Sequence, residues 1–378
     1  MTNSGNTRRG TANVAAADAS NGRLKRLGVR VLSRRRRARA LPLALAVALT
    51  AVIAVAVVIP TFLFGTCACG QQPRSAWGWA SGHLAGWASQ PSRQRQTARP
   101  AASPAAKGRV EYTEFESASL GGQKVRCAVS LPASYDADKA RRYPLVVFLH
   151  GLNNSERDWE TEGMQARLEE LRAAGKVGDF VVAAPFGANS FYLNAKGGAA
   201  YEDAIVKDFI PFVERQYRAG GKPAARVIEG LSMGGYGALL IAFKHPEMFA
   251  GVAAHSAALF DGLPQAPAAA ATDRLASFRY ALAAKLFGAP PDEDYFRANS
   301  PLHLARQNAG RLKRLKIYFD VGDADRYNFQ PGNRQLDAAL SEAGVKHEFH
   351  LAPGPHGWAF LAARAEPAMT FVWNAFGR

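Results

Sequence analysis

One serine in the chain lies in a setting that could activate it for nucleophilic attack. Residues 230–234 read Gly-Leu-Ser-Met-Gly, a nucleophile elbow that holds Ser232 at a sharp turn between a strand and a helix. Glycine on either side removes the Cβ atoms that would collide at such a turn. Val227 and Ile228 precede the turn and small or apolar residues follow it, as a strand and a helix require. The competing interpretation is a structural turn whose serine only caps the helix.

A serine hydroxyl is a poor nucleophile near neutral pH, so it needs a base. His356 lies in Ala352-Pro-Gly-Pro-His-Gly-Trp358, between the last predicted strand and the last predicted helix, and is the preferred base. Four other histidines compete for this role: His255, His303, His347 and His350. Of these, His347 and His350 lie on a predicted strand and His255 ends another.

The base needs an acid to orient it, and three aspartates follow one predicted strand. The segment reads Asp320-Val-Gly-Asp-Ala-Asp325. Asp320 belongs to the strand end and could serve a structural hydrogen bond. Asp325 lies in the loop proper and is preferred, with Asp323 as the second choice. Turn chemistry is the alternative for all three, since Asp and Gly favour turns.

Two backbone N–H groups are needed to hold the negative oxygen that forms during attack on a carbonyl. Met233, directly after the serine, should supply one of them. The other should come from the loop after the strand that ends at His150. Leu152 is the expected donor and Gly151 the alternative, because glycine permits close approach of the backbone.

These residues need a sheet to bring them together, and the chain alternates between apolar strands and amphipathic helices from about residue 109. Strands are predicted at 124–131, 143–149, 179–184, 226–229, 249–254, 315–319 and 347–351, and helices at 162–174, 202–217, after Ser232, and at 358–376. Such alternation predicts an α/β fold with a mostly parallel sheet and helices on both faces. Residues 256–312 break the rhythm and are interpreted as a cap or pocket-wall insertion near the substrate mouth.

Charge is concentrated near the start of the chain. The 378 residues carry a formal net charge of +16, yet residues 1–108 alone hold 16 Lys and Arg against one acid. The rest of the chain is therefore close to neutral, which argues against a nucleic-acid-binding surface on that part. Cys127 lies in an apolar strand pattern and is expected to be a core residue. No spacing typical of metal ligands is present, and no cofactor is expected.

The first 65 residues predict a membrane anchor. Residues 1–40 are polar and basic, end in an arginine-rich run, and are expected to form a disordered cytoplasmic tail. Residues 41–65 form an uncharged apolar run that would span about 37 Å as a helix, enough for one tilted crossing. Because the arginines precede this run, the positive-inside rule places the rest of the chain outside the cytoplasm.

Two alternatives compete with an uncleaved anchor. A cleaved signal peptide, which would give a secreted protein, has a similar charge order but normally a shorter apolar core. A lipid anchor would use Cys67 or Cys69, although the preceding Phe-Gly-Thr matches the usual small-residue pattern only loosely. Residues 66–108 are predicted to be a flexible linker. Its tryptophans suit either a membrane interface or contact with the domain: Trp77, Trp79 and Trp87.

Seven motifs in the same order make residues 110–378 resemble a family of esterases with the α/β-hydrolase fold. The family includes S-formylglutathione hydrolase, feruloyl and other carbohydrate esterases, and the mycolyltransferase antigens. The matching segments are His150-Gly-Leu, Asn189-Ser-Phe-Tyr192, Tyr201-Glu-Asp with Ile210-Pro-Phe, Gly230-Leu-Ser-Met-Gly-Gly235, His245-Pro-Glu-Met-Phe249, Gly322-Asp-Ala-Asp325 and Pro355-His-Gly-Trp358. The resemblance implies a triad of Ser232, Asp325 and His356, with Leu152 and Met233 as oxyanion donors.

The expected function is that of a membrane-anchored serine esterase whose domain, residues 109–378, acts on a small-molecule, carbohydrate or lipid ester. A second reading makes the acceptor of the acyl group a sugar or lipid hydroxyl instead of water. A third reading is a catalytically silent domain that binds a surface. Residues 186–200 and 256–312 are expected to set specificity. The sequence leaves the acyl group, the alcohol and the oligomeric state open.

Overall fold

A computed structural model describes residues 108–268 and 273–377. Within them, eight strands form one sheet. Their bounds are β1 (Arg109–Ser117), β2 (Gln123–Leu131), β3 (Leu145–Leu149), β4 (Val181–Pro185), β5 (Arg226–Leu231), β6 (Gly251–His255), β7 (Lys316–Gly322) and β8 (Glu348–Ala352). The order across the sheet is β1-β2-β4-β3-β5-β6-β7-β8, and every pairing from β4 to β8 is parallel. The mostly parallel α/β sheet predicted from the sequence is therefore confirmed.

Burial explains the composition of the central strands. Every residue of β3, β4 and β6 is buried, as expected where helices cover both faces of a parallel sheet. The edge strand β1 differs, because it pairs with β2 in antiparallel fashion and most of its side chains are at least partly exposed. β1 was not predicted from the sequence, since its Glu- and Thr-containing residues lack the continuous apolar run of a central strand.

Helices cover the two faces of the sheet. Their bounds are α1 (Asp158–Thr161), α2 (Met164–Ala173), α3 (Tyr201–Asp203), α4 (Ile210–Gln216), α5 (Met233–Lys244), α6 (Arg274–Phe287), α7 (Glu293–Asn299), α8 (Pro301–Gln307), α9 (Ala309–Leu312), α10 (Gln330–Glu342), α11 (Trp358–Ala363) and α12 (Ala365–Ala375). One face packs against α1, α2, α11 and α12. The opposite face packs against α4 to α10, so each face has its own apolar core.

Two predicted helices are interrupted. The helix predicted at 202–217 contains a π-helical stretch, Ala204–Phe209, between α3 and α4. The helix predicted at 358–376 breaks at Arg364, which separates α11 from α12. At that break the Arg364 guanidinium reaches Asp320 and the Tyr318 hydroxyl on β7, so a tertiary contact accompanies the interruption.

The predicted insertion, residues 256–312, lies between β6 and β7 and contains α6 to α9. Asp273 caps α6 by accepting hydrogen bonds from the N–H groups of Leu275 and Ala276, both at 2.9 Å. Asp292 caps α7 in the same way, through the N–H of Tyr295 at 2.8 Å. These caps fix where the helices begin and so place their apolar faces.

The predicted tail, membrane segment and linker, residues 1–40, 41–65 and 66–108, lie almost wholly outside the described residues. Across 108–268 and 273–377, no helix has the length and apolar character needed to cross a membrane. Cys127 is fully buried on β2, as predicted. Burial raises the pKa of its thiol to about 12, which keeps the thiol protonated and chemically quiet.

Candidate active site

Ser232 occupies the turn between β5 and α5 in a strained backbone conformation, with φ 59° and ψ −113°. The two flanking glycines make this turn feasible. A Cβ on Gly230 would lie 2.2 Å from the Gly234 carbonyl oxygen, and a Cβ on Gly234 would lie 1.9 Å from the Leu149 carbonyl oxygen. Strain of this kind persists only where the surroundings enforce it, and it commonly accompanies function.

The structure brings together the three side chains that the sequence singled out. Ser232 Oγ lies 3.0 Å from His356 Nε2, and His356 Nδ1 lies 2.7 Å from Asp325 Oδ2. The Asp325 side chain is fully buried and its other oxygen accepts the Tyr327 N–H at 2.8 Å. A buried carboxylate that bonds Nδ1 favours the tautomer that leaves Nε2 free to accept the serine proton.

The other two aspartates of the same segment are engaged elsewhere. Asp323 Oδ1 accepts the Gly354 N–H at 3.0 Å, which ties the loop after β7 to the loop that carries His356. Asp320 is fully buried and bonds His255 and the Tyr318 hydroxyl. The structural role expected for Asp320 is thus confirmed, and only Asp325 of the three contacts the imidazole of His356.

The competing histidines are likewise engaged away from Ser232. His347 lies 2.8 Å from Asp337, and His350 packs against the Tyr318 ring with 5.2 Å between ring centroids. His303 packs edge-on against Phe296 at 6.0 Å.

The loop after β3 lies directly beside the nucleophile. A Cβ on Gly151 would lie in ordinary contact with the Cβ of Ser232, at 3.6 Å, and would approach Asn154 Oδ1 to 2.8 Å. Within the described residues, neither the Leu152 N–H nor the Met233 N–H has a hydrogen-bond acceptor. Met233 is also the first residue of α5, where N–H groups have no partner within the helix. Both N–H groups are therefore free to bind an oxyanion.

His150, to which the sequence assigned no side-chain role, holds this loop in place. It is fully buried, and its Nε2 accepts the Gly187 N–H at 2.9 Å. Its Nδ1 must then carry the proton, which it donates to the Gly151 carbonyl at 2.8 Å. Burial lowers the pKa of His150 and favours this neutral form. One imidazole thus links the loops that follow β3 and β4.

A second buried network lies beneath the elbow, and the sequence did not reveal it. His255 lies 2.8 Å from Asp320 and 3.2 Å from Glu229, and all three are buried. Burial alone would lower the pKa of His255, but the two carboxylates outweigh it and raise the pKa to about 10. The His255 carbonyl also accepts the Ser232 N–H at 2.8 Å, so this network is attached to the nucleophile's backbone.

An apolar cavity of about 350 Å³ adjoins the triad. Tyr327 and Phe329 connect the two, since both line the cavity and their rings lie 4.7 and 5.5 Å from the His356 ring. The predicted insertion supplies the facing wall through residues of the loop after β6, of α6 and of α7. These include Leu259, Phe260, Leu282, Ala283, Phe287 and Phe296.

Comparison with known proteins identifies the family. Residues 117–364 match the Esterase family model. The chain belongs to the Esterase family. Across the described residues, the chain has no cluster of His, Cys, Asp and Glu arranged to hold a metal ion.

Curated relatives of this chain have named activities. An endo-1,4-beta-xylanase/feruloyl esterase of Xylanibacter ruminicola is 30% identical over 38% of this chain and 20% of its own length. An esterase of Mycobacterium tuberculosis is 26% identical over 66% of this chain and 56% of its own length. The matched region is thus less than two thirds of either relative. An acetyl esterase of Caldicellulosiruptor saccharolyticus is 31% identical over 56% of this chain and 76% of its own.

Solved structures show the same fold. A ferulic acid esterase superimposes with a TM-score of 0.60 and 26% identity, covering 72% of this chain and 99% of its own. An S-formylglutathione hydrolase from Agrobacterium tumefaciens superimposes with a TM-score of 0.58 and 20% identity, covering 73% of this chain and 98% of its own. The expected α/β-hydrolase fold is therefore confirmed. Residues 109–377 contain all eight described strands and both apolar cores, so this part of the chain is expected to fold without the preceding segment.

Proposed function

We propose that this chain is a serine carboxylic-ester hydrolase that works through an acyl-enzyme. The observation that carries the proposal is the hydrogen-bonded line from Ser232 through His356 to Asp325, with the serine in its strained elbow. Family membership supports the same reaction class. The geometry is the nucleophile, base and orienting acid that acyl transfer requires.

In the first half of the reaction, Ser232 Oγ forms a bond to the ester carbonyl carbon while its proton passes to His356 Nε2. Asp325 stabilises the imidazolium through the hydrogen bond at Nδ1. The carbonyl oxygen becomes negative and accepts the N–H groups of Met233 and Leu152. The bond to the alcohol oxygen then breaks as His356 returns its proton to that oxygen, which leaves an acyl group on Ser232.

In the second half, His356 removes a proton from water and the hydroxide oxygen attacks the acyl carbon. Collapse of this intermediate returns the proton to Ser232 and releases the carboxylic acid. A sugar or lipid hydroxyl in place of water would give acyl transfer by the same steps. Product analysis with an added alcohol distinguishes the two, because transfer yields a new ester and hydrolysis yields only the free acid.

The apolar cavity beside His356 is proposed to receive the acyl group. Its aromatic walls and volume of about 350 Å³ suit a bulky apolar or aromatic acid better than an acetyl group. Two relatives are named for feruloyl or ferulic acid esters, which supports an aromatic acyl group. We therefore propose esters of aromatic acids as the substrate class.

Hydrolysis of p-nitrophenyl esters and methyl ferulate by the 109–378 domain tests the reaction. Ser232→Ala should lower kcat by a factor of at least about 10³, because the nucleophile is lost. A fluorophosphonate probe should label wild type and not the variant. Hydrolysis by Ser232→Ala at the wild-type rate would refute the assignment. Absence of both labelling and hydrolysis in the wild type would favour the surface-binding reading.

We further propose that residues 41–65 anchor the protein in a membrane with the catalytic domain on the extracytoplasmic side. The length and apolar character of this segment and the arginines before it support the proposal. Protease treatment of intact cells, followed by detection of a tag at each terminus, tests it. The C-terminal tag should be digested and the N-terminal tag protected; the reverse pattern, or a soluble secreted product, would contradict it.

A further inference from the structure

Basic side chains gather at the end of the sheet opposite the catalytic loops. Lys313 and Arg314 precede β7, Lys316 begins it, and Lys346 lies just before β8. All four side chains are exposed and line an open groove of about 1090 Å³ between the starts of β7 and β8 and the helix α12. We call this surface the basic groove.

Most of this charge is not neutralised within the protein. Lys313, Arg314 and Lys346 have no carboxylate within 4 Å among the described residues. Lys316 Nζ donates to the Asn374 carbonyl at 2.8 Å, which places its charge at the C-terminus of α12. The groove therefore presents to the solvent a positive charge that no carboxylate of the described residues neutralises through a direct contact.

The acids of the same groove do not cancel this charge. Glu366 is paired with Lys176, which lies outside the groove lining, at 3.1 Å. Glu348 pairs with no Lys or Arg among the described residues, so it offsets one positive charge and leaves the groove with an excess of bases. The other basic side chain of the lining, Arg167, is paired with Glu170 at 2.7 Å and adds no free charge. Anions are thus expected to be attracted chiefly by the three unpaired bases.

The N-terminal part of the chain joins the domain at this same end. Arg109, the first residue of β1, pairs with Leu131, the last residue of β2. On β2, Ser130 pairs with Val182, close to the start of β4. Arg109 therefore lies at the end where the parallel strands begin. β1 lies at the opposite edge of the sheet from β7 and β8, but the described domain begins at the same end of the strands as the basic groove.

We propose that the basic groove docks on an anionic phospholipid surface, with the strand starts toward the lipid and the catalytic loops toward solvent. The groove is open and its unpaired bases are spread along it, which suits an array of phosphate head groups. Each Lys or Arg held within a Debye length of such a surface strengthens partitioning roughly five-fold. This inference does not depend on ester hydrolysis and goes beyond anchoring, because it fixes which way the domain faces.

Vesicle co-sedimentation of the 109–378 domain tests the proposal, since the full chain would also partition through residues 41–65. The wild-type domain should sediment with vesicles containing about 30% phosphatidylglycerol, and not with phosphatidylcholine alone, because only the former has a negative surface. The triple variant Lys313→Glu/Arg314→Glu/Lys346→Glu should partition at least about ten-fold more weakly. Its hydrolysis of soluble esters and its thermal midpoint should match wild type.

A matched variant reverses the same number of charges elsewhere. Lys124→Glu/Lys285→Glu/Arg306→Glu alters three exposed bases outside the groove lining and should keep partitioning within about two-fold of wild type. If both triple variants lost vesicle partitioning equally, binding would depend on net charge alone, and the proposal would be overturned. So would an absence of sedimentation with phosphatidylglycerol vesicles at low salt. Groove-dependent binding of inorganic phosphate, without vesicle binding, would assign the groove to a soluble anion instead.

Discussion

The carboxylates of Asp323 and Asp325 lie two positions apart and do different things. Asp325 accepts from His356 Nδ1 at 2.7 Å, whereas Asp323 accepts the Gly354 backbone N–H at 3.0 Å. An aspartate beside the catalytic imidazole holds its tautomer and stabilises its charged form during the reaction. Asp325 is therefore the proposed acid, because it is the aspartate of this loop that reaches His356.

Asp325→Asn should lower kcat by about 10³ to 10⁴ because an amide no longer stabilises the charged imidazole. Asp323→Asn serves as its control, since it removes only a bond to the loop backbone, and should cost less than about ten-fold. Steady-state kinetics with a p-nitrophenyl ester measure both. A larger loss in Asp323→Asn than in Asp325→Asn would reverse the assignment of the acid.

Ala283 offers a way to test the acyl cavity at one position. It is buried on α6 and lines the cavity, whereas Ala281 on the same helix is exposed and does not. Ala283→Phe should fill the space and reduce kcat/KM for methyl ferulate by about ten-fold or more, with a smaller effect on p-nitrophenyl acetate. Ala281→Phe should leave the ratio of kcat/KM for methyl ferulate to kcat/KM for p-nitrophenyl acetate unchanged. An unchanged ratio in Ala283→Phe would place the acyl group outside this cavity.

At the scale of elements, the elbow depends on how closely α5 approaches β3 and β5. The start of α5 lies so near to the end of β3 that a Cβ on Gly234 would be 1.9 Å from the Leu149 carbonyl oxygen. Backbone atoms cannot yield by the required distance without moving the strand or the helix. The strand–turn–helix geometry and the position of Ser232 are thus set by backbone packing.

Gly234→Ala should therefore destabilise the domain by more than about 3 kcal/mol or prevent folding. Gly310→Ala is the control variant. Gly310 lies in α9, and a Cβ there would meet nothing within 4 Å. In that helix the exchange should stabilise by up to about 1 kcal/mol. Chemical denaturation of both variants measures the difference. Wild-type stability in Gly234→Ala would mean that the elbow is looser than this packing implies.

The sequence predicted the parts of the molecule whose chemistry is local. A glycine-flanked serine, a histidine in a loop between a strand and a helix, and buried apolar strands can all be recognised from neighbouring residues. The π-helical stretch Ala204–Phe209 and the break at Arg364 could not be recognised, because each lies within a run whose apolar spacing is helical. The contact between Glu229 and His255 could not be predicted either, since the two residues lie 26 positions apart in the sequence.

At the scale of the whole molecule, one buried network joins the middle of the sheet to the last helices. Glu229 on β5, His255 on β6 and Asp320 on β7 are all buried, and Arg364 reaches Asp320 from between α11 and α12. The Tyr318 hydroxyl donates to Asp320 at 2.7 Å. Charges buried together are stable only while each has its partner. Protonation of His255 therefore couples global stability to pH.

The sign of this coupling follows from the two states of His255. Its pKa is about 10 in the folded protein, where Asp320 and Glu229 surround it, and about 6.5 when unfolded. Below pH of about 6.5 both states bind the proton and its full stabilising effect is present. As pH rises from there toward 10, only the folded state retains the proton. The free energy of unfolding should therefore fall across this window, by at most about 1.4 kcal/mol per pH unit.

His255→Gln should lower the free energy of unfolding by about 3–5 kcal/mol near neutral pH, because two buried carboxylates lose their cation. It should also flatten the fall in the free energy of unfolding as pH rises from about 6.5 toward 10. His347→Gln is the matched control, since His347 lies beside the half-exposed Asp337, and should keep the wild-type slope. Urea denaturation from pH 6 to about 10 measures both features over the range in which the His255 proton is lost. If His255→Gln kept the wild-type slope of unfolding free energy against pH, another group would carry the proton. If it lost this slope without losing stability, the carboxylates beneath Ser232 would not depend on the imidazolium charge.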